Sequence, residues 1–480
     1  MSEADLSINI TVFERNPYIG GRSTTVNAHD DPSQPVELGA SIFVSVNRNL
    51  ASACEAFNLS TSSNARGPHS NTEPGETLGV WNGREFVFTQ RLEENRWGSW
   101  WSTTKLLWRY GWAPVRTVKL MKKVVGQFLM MYEEPHFPWI SLSEVVNDVG
   151  LTGVTASTGE QYLAQNGIGE LFAKEIVQAS TRVNYAQNLP SIHGLEAMVC
   201  MATDGAMAVE GGNWRIFEEM LKAADADVRL NTAVTDVRLG SDGSYTVSSK
   251  SPPSTSEALP LDEMYDTVIL AAPYQFTSIN FEPAPPRIPD EIPYVELHVT
   301  LLSSPHLLSP TFFSLPPNAA VPQVILTTLQ PGERPGLGPH GVGVAGFFSL
   351  STLGIAKNPH TDPPRDEYLY KIFSPDPVSP SFLRNIFNLD DPSEPGHGGR
   401  DSAEDLDGEI NQDDVSWIYR KMWRSYPYLY PRATFEEVRL DENLWYTSGI
   451  ESFISTMETS SLSGMNVARL VAERWIRAVD

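Results

Sequence analysis

Cys54 and Cys200 are the only cysteines in 480 residues, too few for a disulfide framework or a zinc site of the usual spacing. They leave the redox compartment open. Cations are scarce too: 35 Lys and Arg stand against 59 Asp and Glu. The resulting net charge of -24 repels nucleic acid and anionic membranes over most of the surface, which argues against a nucleic-acid partner. No run of about 18 apolar residues is free of charge, and residues 1–5 are polar and acidic where a secretory leader would be basic and then apolar. A G-x-G-x-x-G turn between a strand and a helix is also missing, and no internal repeat is present. What remains is an ordinary globular composition, 41% hydrophobic, long enough for two to four domains.

The chain is organised around residues 8–15, in which Ile8, Ile10, Val12 and Phe13 precede Glu14 and Arg15. A short β-branched run ending in an acid predicts a parallel strand buried on both faces, with Glu14 at its C-terminal edge, where open α/β sheets bind ligands. In a dinucleotide fold such an acid accepts hydrogen bonds from the adenosine ribose. Gly20 and Gly21 let backbone approach an anionic ligand, Arg22 adds a fixed cation, and Glu37, Leu38, Gly39, Ala40 and Ser41 follow. The spacing of Glu14, Gly20, Gly21 and Arg22 resembles the E-x-x-x-x-x-G-G-R pattern of amine-oxidase-type flavoproteins.

Further along, 47–57 has helical spacing, and Asn82-Gly83 between 78–81 and 85–89 signals a hairpin. Residues 96–132 form the one basic, aromatic region: Trp97, Trp100, Trp101, Trp108 and Trp112 interleave with Lys105, Arg109, Arg116, Lys119, Lys122 and Lys123. The plain reading is amphipathic helices with aromatics inward and lysines in water; the functional one is a greasy entry surface for a membrane or an isoprenoid. Ser141 to Glu144 read as a capping box and 158–181 as one long helix. Strands are expected at 228–230, 233–238, 245–248 and, buried, at 266–273. More follow at 295–302, 342–348 and 415–422 in an antiparallel sheet. The Gly- and Ser-rich acidic stretch 390–414 is expected to be a disordered insertion.

Three segments carry a closer resemblance. Gly449, Ile450, Glu451 and Ser452 with 455–458, then 182–187, then 208–213, together with Trp423 and 426–429, resemble the prenylcysteine oxidase (prenylcysteine lyase) family. The resemblance implies an α/β fold: a Rossmann-like FAD-binding domain interleaved with an α+β substrate domain, in amine-oxidase-like flavoprotein architecture. The FAD domain would comprise 1–90, 206–275 and 435–480, and the substrate domain 91–205 and 276–434. It also implies FAD- and O2-dependent cleavage of farnesyl- or geranylgeranyl-cysteine to cysteine, prenyl aldehyde and H2O2. The cofactor residues would be Glu14, Arg15, Gly20, Gly21, Arg22, Gly39, Ala40, Ser41, Val234, Ala271, Pro273, Gly449, Met457 and Glu458, with no metal. Glu210 would bind the substrate ammonium or sit beside the flavin, unless it is only a helix-start acid. Arg182 would take the cysteine carboxylate, unless it is a helix-end cation; His193 would relay a proton, unless it is structural. Besides prenylcysteine and O2, the expected contact is peripheral, through 96–132 to a membrane, with no obligate protein partner. The resemblance implies a lysosomal, vacuolar or secretory place, which the Asn58-Leu59-Ser60 sequon suits, whereas the chain as written reads as cytosolic. Another flavin amine or terpenoid oxidase, or a flavin-free binder of prenylated ligands, are the competing readings.

With only residues 1–7 ahead of the first strand, the likeness begins one βα unit late, and a protein started at Met1 is expected to be colourless and inactive. In the gene's complete product, Glu14→Ala should weaken FAD by roughly 1.5 to 3 kcal/mol, the worth of hydrogen bonds to a charged group. Flavin retention through dialysis measures this, and unchanged retention refutes the ribose assignment.

Overall fold

The computed structural model describes residues 8–62, 77–91, 106–251, 261–389 and 410–479. Trp97, Trp100, Trp101 and Lys105, and 390–409 of the acidic stretch, lie outside them. The last part of that stretch, 410–414, is ordered against a sheet edge: Asp414 Oδ1 lies 2.7 Å from His306 Nε2, and its carbonyl accepts from Ser304 Oγ.

A seven-stranded sheet forms the centre, in the order Trp417–Pro427, Tyr294–Ser304, Arg365–Ser374, Ser349–Asn358, Val324–Thr327, Thr77–Trp81, Phe86–Arg91. All neighbours are antiparallel except Val324–Thr327 with Thr77–Trp81. Both faces are covered, so its long strands carry apolar residues on either side. Val295, Leu297, Val299 and Leu301 face a cluster with Val36 and Leu38; Leu302 faces the opposite one, with Phe313, Phe347 and Trp81. The Asn82-Gly83 hairpin forms as expected, Gly83 taking φ +89°. It extends this sheet, so 77–90 belongs with the 276–434 part and not with the cofactor side.

Other expectations need correction. Residues 342–348 form no strand, because Gly343 and Gly346 adopt positive φ and break the extended run. The long helix expected over 158–181 is interrupted by Gly167 at φ +69°, giving Gly159–Gln165 and then a second helical stretch from Glu170 to Tyr185. That second stretch contains a π-helical segment, Ala173–Val177.

On the cofactor side, Thr11–Phe13 pairs in parallel with Asp227–Arg229, and Val268–Leu270 with Leu444–Tyr446. Among the described residues these two pairs are not joined, so each ends on an open edge. The expected burial on both faces does not hold either: Ile10, just ahead of the first strand, and Ile269, within the third, are 41% and 46% exposed. A four-stranded sheet containing Ala233–Leu239 and the C-terminal helix Met457–Val479 complete this side.

The core assignment predicts an asymmetry between two apolar side chains. Phe313→Ala, at 0% exposure, should cost about 3 to 5 kcal/mol in a denaturant titration, while Val344→Ala, 59% exposed, should cost under about 0.5.

Candidate functional site

Loops from the cofactor side meet the central sheet at a polar junction. Gly20 and Gly21 take φ +105° and +58°, and at Gly20 a Cβ would come within 2.2 Å of the Ser23 carbonyl, so only glycine makes this turn. The turn aims Arg22, whose Nη2 lies 2.7 Å from Glu451 Oε1 and whose Nη1 donates to the Ser425 carbonyl at 2.6 Å. Burial works against this charge, but the Glu451 carboxylate and its hydrogen bond hold the guanidinium above its ordinary range. Tyr294 Oη donates to the other Glu451 oxygen at 3.1 Å.

Beside it, Gly39 passes so close to Arg22 and Trp423 that a Cβ would meet the Arg22 carbonyl at 2.6 Å and the indole at 2.9 Å. Fully buried Asn213 holds this loop: its N–H donates to Glu37 Oε1 at 2.6 Å and its Nδ2 to the Ala40 carbonyl at 2.8 Å. Lys371, from the central sheet, donates Nζ to the Glu37 carbonyl at 2.8 Å and to Ser41 Oγ at 3.0 Å. Burial pushes the Glu37 carboxyl up, opposed by the Asn213 N–H and by Lys371, and pushes Lys371 down, opposed by Glu37. The sequence reading missed Asn213, Lys371 and Glu451 as anchors. Lys371 was findable as the one charge in the otherwise apolar and aromatic run from Tyr368 to Phe373.

Glu14 stands at the end of its strand, with Oε1 accepting from the Asn16 N–H and Nδ2 at 2.7 Å each and Oε2 without a partner among the described residues. Arg15 donates to the Phe276 carbonyl, Val234 packs at the edge of a small core, and Ala271 is exposed beside half-buried Pro273. Gly449 is buried in the turn before Glu451. Of these residues, Glu14 is the one with a carboxylate oxygen left to accept from a ribose hydroxyl. Glu458 and Met457 are corrections. The Glu458 carboxylate accepts from the Asn49 and Leu50 N–H groups and from Tyr132 Oη, capping the Arg48–Ala56 helix, and Met457 packs on the core beside it.

The proposed catalytic trio is not assembled. Arg182 is fully buried and spent on neutral acceptors: Nε on Thr327 Oγ1, Nη1 on Asn188 Oδ1 and the Gly341 carbonyl, Nη2 on the Val342 carbonyl. Burial lowers it to about 9, with distant Glu333 pulling back, and no substrate carboxylate can reach it. His193 caps the Gly194–Val199 helix, its Nδ1 accepting from the Glu196 N–H at 3.1 Å, and burial lowers it to about 4, so it stays neutral at working pH. Glu210 is solvent-exposed on the turn before the Trp214–Ala223 helix, its carbonyl held by Arg215. It meets none of the junction residues through its carboxylate.

A cavity of about 210 Å³ opens elsewhere, walled by Phe88, Leu106, Pro114, Met121, Phe172 and Ile176. The helical stretch that supplies Phe172 and Ile176 runs through the π-helical turn to Tyr185, whose Oη donates to the Ser455 carbonyl at 3.1 Å, just ahead of the C-terminal helix. Nine residues separate Ile176 from Tyr185, about 13 Å of helix. An apolar pocket and the Gly449-to-Ser455 segment therefore lie at two ends of one rod. Beside Tyr185, Glu196 is fully buried, and burial pushes its carboxyl up to about 8 while Tyr185 and the Ser455 backbone pull the other way.

Comparisons with known proteins agree with this architecture. The family model described as prenylcysteine lyase matches residues 92–480, and that of an NAD(P)-binding Rossmann-like domain matches 2–57. Farnesylcysteine lyase of Arabidopsis thaliana is 27% identical over 97% of this chain and 82% of its own length. Prenylcysteine oxidase 1 of Homo sapiens is 24% identical over 98% and 84%. Among solved structures, putrescine oxidase bound to putrescine superposes with a TM-score of 0.52, at 11% identity, over 96% of this chain and 93% of that one. The fold is thus the amine-oxidase-like flavoprotein fold.

Glu196 yields a pH prediction. Its proton binds more tightly folded than unfolded, so its contribution to stability is present below about pH 4.5 and is lost as pH rises toward 8. Glu196→Gln removes that titration, so its melting temperature relative to wild type should climb between pH 5 and 9, reflecting a few kcal/mol. A difference that is flat with pH would mean that the carboxyl is not held protonated.

Proposed function

This chain belongs to the prenylcysteine lyase family, and from that premise we propose that it is an FAD-dependent oxidase cleaving the thioether of farnesyl- or geranylgeranyl-cysteine. The observation that carries the reading is the apolar cavity tied by one helical rod to the Gly449-to-Ser455 segment. A prenyl chain is hydrocarbon, and each methylene placed in such a cavity contributes about 0.8 kcal/mol, so the tail can supply most of the binding and position the reacting end.

The residues divide the work. Glu14 Oε2 is placed to accept from ribose, the Gly20–Gly21 turn and the Gly39 to Ser41 loop give backbone close approach, and Asn213 with Lys371 fixes that loop. FAD, when bound, supplies the two-electron acceptor and its return to the oxidised state by O2. Substrate C1 is allylic and bonded to sulfur, so the positive charge left after loss of hydride spreads over sulfur and the alkene. Water adds at C1, the hemithioacetal breaks its C–S bond, and cysteine thiol and prenyl aldehyde leave. The sum takes up one O2 and one water per thioether and returns one H2O2. His193 and Arg182, neutral or fully occupied, are not needed as acid or base in this scheme; the protein's part is orientation and control of water.

The test is peroxide release by the gene's complete product, with farnesylcysteine, benzylamine and spermine offered in parallel. Farnesylcysteine should be turned over with stoichiometric prenyl aldehyde, and the two amines should be poor. Preference for either amine, or a colourless protein inert to all three, would overturn the reading.

A further inference from the structure

In a chain of net charge -24, residues 106–132 carry Arg109, Arg116, Lys119, Lys122 and Lys123 and no Asp or Glu. Arg109 is used internally, paired bidentately with Glu175, and Arg116 donates to the Gly167 carbonyl. Lys119, Lys122 and Lys123 are exposed and make no ion pair with the described residues. The Ala113–Leu129 helix buries Ala113, Thr117, Leu120, Met121, Val124 and Phe128. At about 100° per residue the opposite side collects Trp112, Val115, Lys119, Lys122 and Lys123, with Met130 just beyond.

The tryptophans decide how this side reads. If the aromatics packed inward, the lysines would be an ordinary solvated face. Instead Trp108 is 91% and Trp112 67% exposed, with Val118 at 47% and Met130 at 44%. Large aromatics beside unpaired lysines suit the headgroup level of a bilayer, where the ring is half desolvated and the cation meets phosphate. Val118 also lines the apolar cavity, as do Pro114 and Thr117, so that cavity opens at the margin of the same face.

We propose that this face, Trp108 to Met130, docks the protein on an anionic lipid surface with its hydrocarbon-binding cavity opening toward the lipid. The commitment to anionic lipid rests on charge complementarity: in an acidic protein, a stretch that carries five cations and no acid is also the stretch that exposes Trp108 and Trp112. The orientation of the cavity rests on the prenyl-substrate reading above; the docking itself does not. A ligand with a prenyl tail partitions into bilayers, and a docked cavity mouth takes it from there without passage through water.

The experiment is co-sedimentation of the whole protein with phosphatidylcholine vesicles, with and without phosphatidylserine, at low and high salt. Binding should need phosphatidylserine, weaken with salt and blue-shift tryptophan fluorescence. Lys119→Glu with Lys122→Glu and Lys123→Glu should lower partitioning by on the order of a hundredfold or more. Trp108→Ser with Trp112→Ser should abolish the fluorescence shift. The lysine variant should keep wild-type peroxide release from dispersed farnesylcysteine. Absence of binding, or equal binding to neutral vesicles, overturns the docking while leaving the oxidase reading intact. Vesicle binding without any turnover of farnesylcysteine leaves the docking standing and removes the oxidase.

Discussion

Arg22 and Glu451 form the contact on which the arrangement of the site depends. Glu451 is almost wholly buried, and a carboxylate in that position is tolerable only with a cation and further donors on it. Arg22 supplies the charge at 2.7 Å and Tyr294 a hydroxyl at 3.1 Å. Three parts of the chain, the first glycine turn, the central sheet and the segment entering the C-terminal helix, are thereby held in one register. Removing Arg22 would leave the Glu451 carboxylate buried without its cation, so the pair specifies the meeting of these parts more than it adds stability.

Desolvation also explains why the chemically suggestive residues are mostly structural. Arg182 has no carboxylate against it and is satisfied by carbonyls and a hydroxyl, which makes it a tie between the Gln178–Tyr185 helix, the strand bearing Thr327 and the 341–342 turn. Lys371 and Glu37 weaken each other's burial penalty, Lys371 also donating to the Glu37 carbonyl, and both brace the Gly39 to Ser41 loop. His193 and Glu196 favour their neutral forms near neutrality.

Local patterns were legible wherever one segment alone fixed the outcome. Glu14 at a strand end, the Gly20–Gly21 turn, the Asn82-Gly83 hairpin and the Arg48–Ala56 helix follow from spacing, because backbone sterics and periodicity act over a few residues. Family membership was equally legible, since its motifs are short and lie in order along the chain. Burial and partnership were not. Ile10 and Ile269 read as doubly buried, yet their strands have one neighbour each, and strand pairing is a property of residues two hundred positions apart. The tryptophans at 108 and 112 read most simply as core, yet they face out: Trp112 only caps the Ala113–Leu129 helix, whose inward side is filled by Leu120, Met121, Val124 and Phe128, and Trp108 lies before the Gly111 turn. Glu458 and Arg182 have the residue types that grip ligands, and only the fold shows their donors and acceptors already consumed. The sequence by itself determined the fold class, the family and the glycine turns. Tertiary structure decided which charges remain free, because hydrogen-bond capacity is finite and is allotted by whatever long-range neighbours the fold brings within 3 Å.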